Sequence, residues 1–212
     1  MRFFILLYFL LFFGVSDLTS QVSLRAFHYR PTGDVYGYLF KPINYGEVGF
    51  VFPFIKKSPF RPGITFTYLK MSTRLDTFPI YGTLSGYNGT TVLSGKESYS
   101  KFDLLKIYVG GDWAFLNKEK FKLFCGIDLV VGSSKVAYYY EVNTQINFGY
   151  SGGGLITGLR GRLGAEYYMT DYISVFISAT RSYFNITDGL NKMGASANDY
   201  GIGIRLDFLN LR

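Results

Sequence analysis

Tyr200-Gly201-Ile202-Gly203-Ile204-Arg205-Leu206-Asp207-Phe208 is the last strand-like stretch of the chain, and its reading decides the fold. Tyr200, Ile202, Ile204, Leu206 and Phe208 fall on one face at a period of two, while Gly201, Gly203, Arg205 and Asp207 fall on the other. A soluble sheet would turn the apolar face to a core and the polar face to water; a sheet in lipid would do the reverse. One strand alone fits both.

The start of the chain separates them. Met1-Arg2 precedes the apolar run Phe3–Phe13, and Gly14-Val15-Ser16-Asp17-Leu18-Thr19-Ser20 follows it. A charged start, a short apolar core and a small-residue exit are the order of a secretory signal peptide. The apolar core is shorter than the roughly 20 residues that span a bilayer. Residues 1–20 are therefore expected to be a signal peptide, with about 190 residues, one domain's worth, after it. No later window holds the run of roughly 18 apolar residues that marks a membrane helix. Yet 48% of the chain is hydrophobic and 19% aromatic, with 25 glycines. An exported chain of that composition has two homes, a β-sandwich core or the lipid face of a β-barrel.

Turn chemistry divides the chain into eight expected strands, at 34–41, 46–56, 62–73, 101–115, 120–139, 155–169, 173–184 and 198–209. Residues 21–33 form an N-terminal extension or the start of the first strand: Val22 to Arg30 also alternates, and extends or replaces 34–41. The connections at 57–61, 116–119 and 170–172 are short, whereas 74–100, 140–154 and 185–197 are long and rich in Gly, Asn, Ser and Thr. Apart from the first connection, Pro42-Ile43-Asn44-Tyr45, which is short, long and short connections alternate, so the three long ones gather at one end of an up-and-down barrel.

The two faces carry the rest of the reading. Leu105, Ile107, Val109 and Trp113 oppose Lys106, Tyr108, Gly110 and Asp112; Leu123, Cys125, Ile127 and Leu129 oppose Phe124, Gly126 and Asp128; Leu159 and Leu163 oppose Arg160, Arg162 and Glu166. Phe115, Phe121, Tyr167, Tyr168, Tyr172 and Phe208 gather near strand ends, where a barrel needs an aromatic girdle. The fold class read from these signals together is all-β: an eight-stranded antiparallel up-and-down transmembrane barrel over residues 34–212, behind a cleavable signal peptide.

On these residues the chain resembles the small, about eight-stranded outer-membrane β-barrel proteins of Gram-negative bacteria. The most specific piece is the last strand, where Asp199, Gly201, Ile204, Leu206 and Phe208 are similar to that family's assembly signal. The resemblance implies an outer-membrane location and recognition by the barrel-assembly machinery. The chain departs from the pattern by running on through Leu209-Asn210-Leu211-Arg212, which leaves Phe208 as the equivalent of a terminal aromatic residue. Such barrels include adhesins, anchors, lipid-modifying enzymes and small channels, so the resemblance implies location more than activity.

Eight strands leave an interior just wide enough for side chains. The expected inward set is Glu47, Lys106, Asp112, Asp128, Arg160, Arg162, Glu166, Arg205 and Asp207, read as a charge network that plugs the lumen. The alternative is a narrow hydrated path or a polar ligand site lined by the arginines. The inventory for catalysis is poor: His28 is the one histidine, and no Ser or acid is assigned to it by spacing. One Cys and one His offer no metal cluster, and no cofactor is expected. Cys125 reads as a small apolar side chain.

Without residues 1–20, which hold Arg2 and Asp17, the charge is 21 − 14 = +7. In an exported barrel that balance points away from nucleic acid and toward outer-membrane lipid and lipopolysaccharide, whose phosphates Lys96, Lys101, Lys135, Arg181 and Lys192 near the loop end would meet. The function expected is a non-enzymatic surface, scaffold or binding protein with an envelope protein partner. The alternatives are a lipid-active barrel enzyme or narrow channel, and a soluble secreted β-barrel or sandwich binder. Residues 74–100, with Phe78, Tyr81, Tyr87 and Tyr99 among small polar residues, are the expected recognition loop.

Overall fold

A computed structural model describes residues 21–33, 36–52, 59–86, 89–142, 146–188 and 191–207. Residues 1–20, read as a signal peptide, and Phe208 lie outside them. Nine strands and one helical turn follow in order: β1 (Gln21–Thr32), α1 (Tyr36–Leu39), β2 (Ile43–Val51), β3 (Phe60–Lys70), β4 (Phe78–Gly86), β5 (Gly89–Lys118), β6 (Phe121–Val142), β7 (Ile146–Tyr168), β8 (Ile173–Asp188) and β9 (Asn191–Asp207). All pairings are antiparallel and run β3-β2-β1-β9-β8-β7-β6-β5, and β3 pairs with β5 to close the ring. The result is a closed eight-stranded barrel, with β4 added as a hairpin arm on the upper part of β5.

Alternation of side chains decides which face looks where. Every second residue of β1, from Gln21 through Ser23, Arg25, Phe27 and Tyr29, is buried in the lumen. On the outer wall Leu105, Leu129, Leu163, Ile202 and Ile204 are all 40% or more exposed, while Asp128, Arg160, Arg162 and Arg205 behind them are at most 6% exposed. Such a ring of exposed Leu, Ile and Val would aggregate in water and is stable in hydrocarbon. Phe115, Phe121, Tyr167 and Tyr172 are exposed at the end of the barrel with the tight turns, Lys118 to Phe121 and Tyr168 to Ile173.

Two expectations about the elements are corrected. The first strand is β1: of the two readings of Val22 to Arg30, the one that replaces 34–41 holds, and the barrel, expected from residue 34, begins at Gln21. Gly33, at φ 90°, turns the chain inward, and bonds from Gly37 N to Gly33 O and from Phe40 N to Tyr36 O wind a helical turn there. The expected long loops are largely strand: β5, β6 and β7 contain 30, 22 and 23 residues, against the roughly 9 to 11 needed to cross a bilayer. Their upper ends therefore stand well beyond the apolar belt as extended hairpins. β1, β2 and β3, at 12, 9 and 11 residues, make the opposite side short.

Candidate functional site in the barrel lumen

The lumen is filled in two storeys. The lower one follows from placing an Arg or a carboxylate at inward positions of β1, β2, β3, β5, β6, β7 and β9. Arg160 sits in the middle, donating from Nη1 to Glu47 Oε1 at 2.7 Å and from Nε to Asp128 Oδ2 at 2.8 Å, with its guanidinium 3.4 Å from the centre of the Tyr108 ring. Glu47 reaches Arg25 at 3.6 Å on its other side. Asp128 continues to Arg162 at 3.3 Å, and Arg162 to Asp112 at 2.8 Å. Asp112 lies 3.6 Å from Arg205, which holds both oxygens of Glu166 at 2.8 and 2.9 Å. Glu166 accepts from Arg61, the last member of the chain, at 2.9 Å and from Ser174 at 2.6 Å.

The order Arg25–Glu47–Arg160–Asp128–Arg162–Asp112–Arg205–Glu166–Arg61 alternates in sign throughout, five cations against four anions. Each member is desolvated, and the neighbours supply the charge that water would otherwise supply. Arg25 and Arg205 also lie 5.2 Å from the Phe176 ring centre. Guanidiniums so paired are poor sites for a free anion. They act as cross-struts between strands distant in sequence.

Of the nine residues expected inside, the chain contains Glu47, Asp112, Asp128, Arg160, Arg162, Glu166 and Arg205. Lys106 points inward but stands apart, donating to Tyr29 Oη at 3.2 Å and lying 3.9 Å from the Phe184 ring centre. Asp207 is half-buried at the lower end, accepting from Gln21 at 2.7 Å. Arg25 and Arg61 also belong to the chain but fall outside the expected inward set, because the alternation of Val22 to Arg30 does not fix the first strand and 57–61 has the composition of a turn. Tyr168 leaves the girdle to accept from Lys122 at 2.6 Å. Among the residues expected to form an assembly signal, Asp199 and Gly201 take inward positions of β9, Asp199 accepting from Thr180 at 2.8 Å, while Ile204 and Leu206 face out.

The upper storey is aromatic. α1 folds into the barrel mouth and buries Tyr36, Leu39 and Phe40 among Phe27, Tyr29, Leu69, Phe102, Leu104, Tyr108, Phe184 and Ile186. Phe40 lies 4.3 Å from Phe102, and Tyr36 5.7 Å from Phe184, ring centre to ring centre. Tyr36 and Tyr29 share a hydrogen bond of 3.0 Å, and burial pushes the Tyr36 phenol above its ordinary range. The turn is stitched to residues 72–74 by Lys41 N to Ser72 O, Arg74 N to Leu39 O, and Arg74 Nε to Phe40 O at 2.9 Å. Phe78 and Tyr99, expected on a recognition loop, instead pack on this plug: Tyr99 meets Phe40, Phe78 and Phe102. Tyr81 and Tyr87 fall where side chains are not described.

His28 is on the outer wall, hydrogen-bonded to Asn44 at 2.9 Å. Cys125 is also on that wall, half-buried. Among the described residues no three His, Cys, Asp or Glu side chains cluster as metal ligands.

No family model matches the chain, and no curated protein matches it. Solved structures do. Neisserial surface protein A superposes with a TM-score of 0.57 at 13% identity, covering 89% of this chain and 96% of that one. OprG from Pseudomonas aeruginosa gives 0.42 at 12% identity, covering 90% and 97%, and Ail, the attachment invasion locus protein of Yersinia pestis, gives 0.40 at 12%, covering 90% and 99%. The fold assignment rests on the first of these and on the closed barrel itself. The protein is an eight-stranded antiparallel barrel with the fold of the small outer-membrane barrels, and with its exposed apolar belt it is at home in an outer membrane.

Proposed function

We propose that this protein is a non-enzymatic outer-membrane barrel whose lumen is permanently plugged and whose hairpin end serves as a surface scaffold or binding element. The observation that supports this reading is the double filling of the lumen: the alternating Arg–carboxylate chain below, and α1 with its aromatic neighbours above. Arg160, Arg205, Tyr108, Phe124 and Phe176 are among the largest side chains with almost no accessible surface. In this reading residues 1–20 direct export, the C-terminal residues Asp199, Gly201, Ile204, Leu206 and Phe208 are read by the barrel-assembly machinery, and the projecting hairpins meet lipopolysaccharide or an envelope protein.

The test is electrical. Purified barrel in a planar lipid bilayer should give no single-channel steps, while gel migration that shifts on heating verifies that the barrel is folded. Reproducible steps from heat-modifiable protein would replace the plugged scaffold with a narrow channel.

A further inference from the structure

One register row crosses six strands in succession: Gly111 of β5, Ile127 of β6, Gly161 of β7, Arg181 of β8, Asn198 of β9 and Arg30 of β1. Its lower end, where Gly111 pairs with Pro62, lies beside the first residues of β3; its upper end lies beside the last residues of β1. The row thus climbs the outer wall from the turn end toward the hairpin end. Gly111, Gly161 and Ala179 are small where Trp113, Leu163 and Tyr200 beside them are large, and the wall is hollowed into a furrow of about 860 Å³. Gly161 is open floor, since a Cβ added there would meet no atom within 4 Å. An apolar furrow on a lipid-facing wall has the shape of an acyl chain.

Its upper end is cationic. Arg181 is exposed on the wall, held by Asn198 Oδ1 at 2.9 Å and Tyr183 Oη at 2.5 Å. Arg30 is exposed beyond Asn198, one strand further on, so the two backbones stand roughly 10 Å apart. Neither arginine has a carboxylate partner among the described residues. A cation facing lipid is costly at depth and cheap near the interface, where a lipid phosphate can pair with it through two parallel hydrogen bonds. Asn198, the His28–Asn44 pair and the exposed Tyr200 ring surround the arginines with the neutral donors, acceptors and aromatic surface that suit sugar hydroxyls.

We propose that this furrow binds a phosphorylated, acylated glycolipid of the leaflet at the hairpin end, its phosphate between Arg30 and Arg181 and one acyl chain along the hollow past Gly161 toward Trp113. The inference rests on the barrel being membrane-embedded, as proposed above. Native mass spectrometry of the detergent-folded protein, with bisphosphorylated lipid A as probe and phosphatidylglycerol as the competing anionic lipid, tests it. The wild type should retain one lipid A in preference to phosphatidylglycerol, and the double variant Arg30→Gln/Arg181→Gln should bind it roughly tenfold more weakly or worse. Gly161→Phe, which fills the hollow from an open position, should weaken binding with both arginines intact. Equal retention of lipid A by both variants, equal affinity for phosphatidylglycerol, or no retention by heat-modifiable wild type overturns the site. A wild type lacking heat-modifiable migration would instead overturn the barrel reading beneath it.

Discussion

Arg160 joins two carboxylates on different strands and stacks on Tyr108, so its neighbours carry more than one interaction each. Asp128 bridges Arg160 and Arg162. Replacing Asp128 with Ala would leave two buried guanidiniums short of a counter-charge, and removal of one partner from a buried pair costs about 3 to 5 kcal/mol. Urea unfolding in lipid vesicles, followed by heat-modifiable migration, should show a loss of that size. A change below about 1 kcal/mol would mean that the lumen is hydrated enough to screen the chain. On the other face, Ile204→Arg should cost about 2 to 4 kcal/mol if Ile204 lies near the bilayer midplane. The inward charges on β5, β6, β7 and β9 are legible in sequence because each stands opposite a row of apolar residues interrupted only by glycine. Arg25 and Arg61 were not, since Arg25 shares its strand with outward His28 and Arg30, and Arg61 follows Ser58-Pro59, which reads as a turn.

At the scale of elements, α1 shows where periodicity misleads. Tyr36, Tyr38 and Phe40 alternate as in a lipid-facing strand, yet Tyr36 and Phe40 are buried while Tyr38 is exposed against Phe78. A helical turn also brings residues four apart to one side, so five residues cannot separate the two periods. The signal that separates them is Gly33, whose positive φ breaks the strand, and it is invisible in composition. The long hairpins are hidden from the sequence for a related reason: once β5, β6 and β7 leave the membrane both faces meet water or other protein, and Gly, Ser, Thr and Asn replace the apolar row without ending the ladder. The plug itself makes a testable claim. Phe40→Ala, by removing a fully buried ring packed on Phe102, should destabilise the barrel by about 3 to 5 kcal/mol. It should still not conduct in a planar bilayer, because the charged storey below is untouched; ion steps in this variant would show that the aromatic layer is the actual seal.

For the molecule as a whole, the short side of β1 to β3 and the tall side of β5 to β7 divide the work. The short side is capped by α1 and residues 71–74, which close the mouth, and the tall side projects strands past the belt. In β4–β5 the ladder runs from Phe78 opposite Glu97 to Gly86 opposite Gly89, while Phe78 and Tyr99 at its base are committed to the plug. The arm is therefore separable from the barrel just above that base. Excising Ile80–Gly95 and joining Pro79 to Lys96 through a two-residue Asn-Gly turn keeps Phe78, Tyr99 and all β3–β5 pairs. Since the excised residues contribute mainly their own hairpin, together with the Gly95–Val142 pair of β5 with β6, stability in urea should change by less than about 1 kcal/mol. Surface recognition should suffer: a pull-down from intact outer membranes with the full-length barrel should recover an envelope partner that the shortened barrel does not. If the shortened barrel recovers the same partner, recognition belongs to the β6–β7 or β8–β9 hairpins, and the β4–β5 arm is an extension without that role.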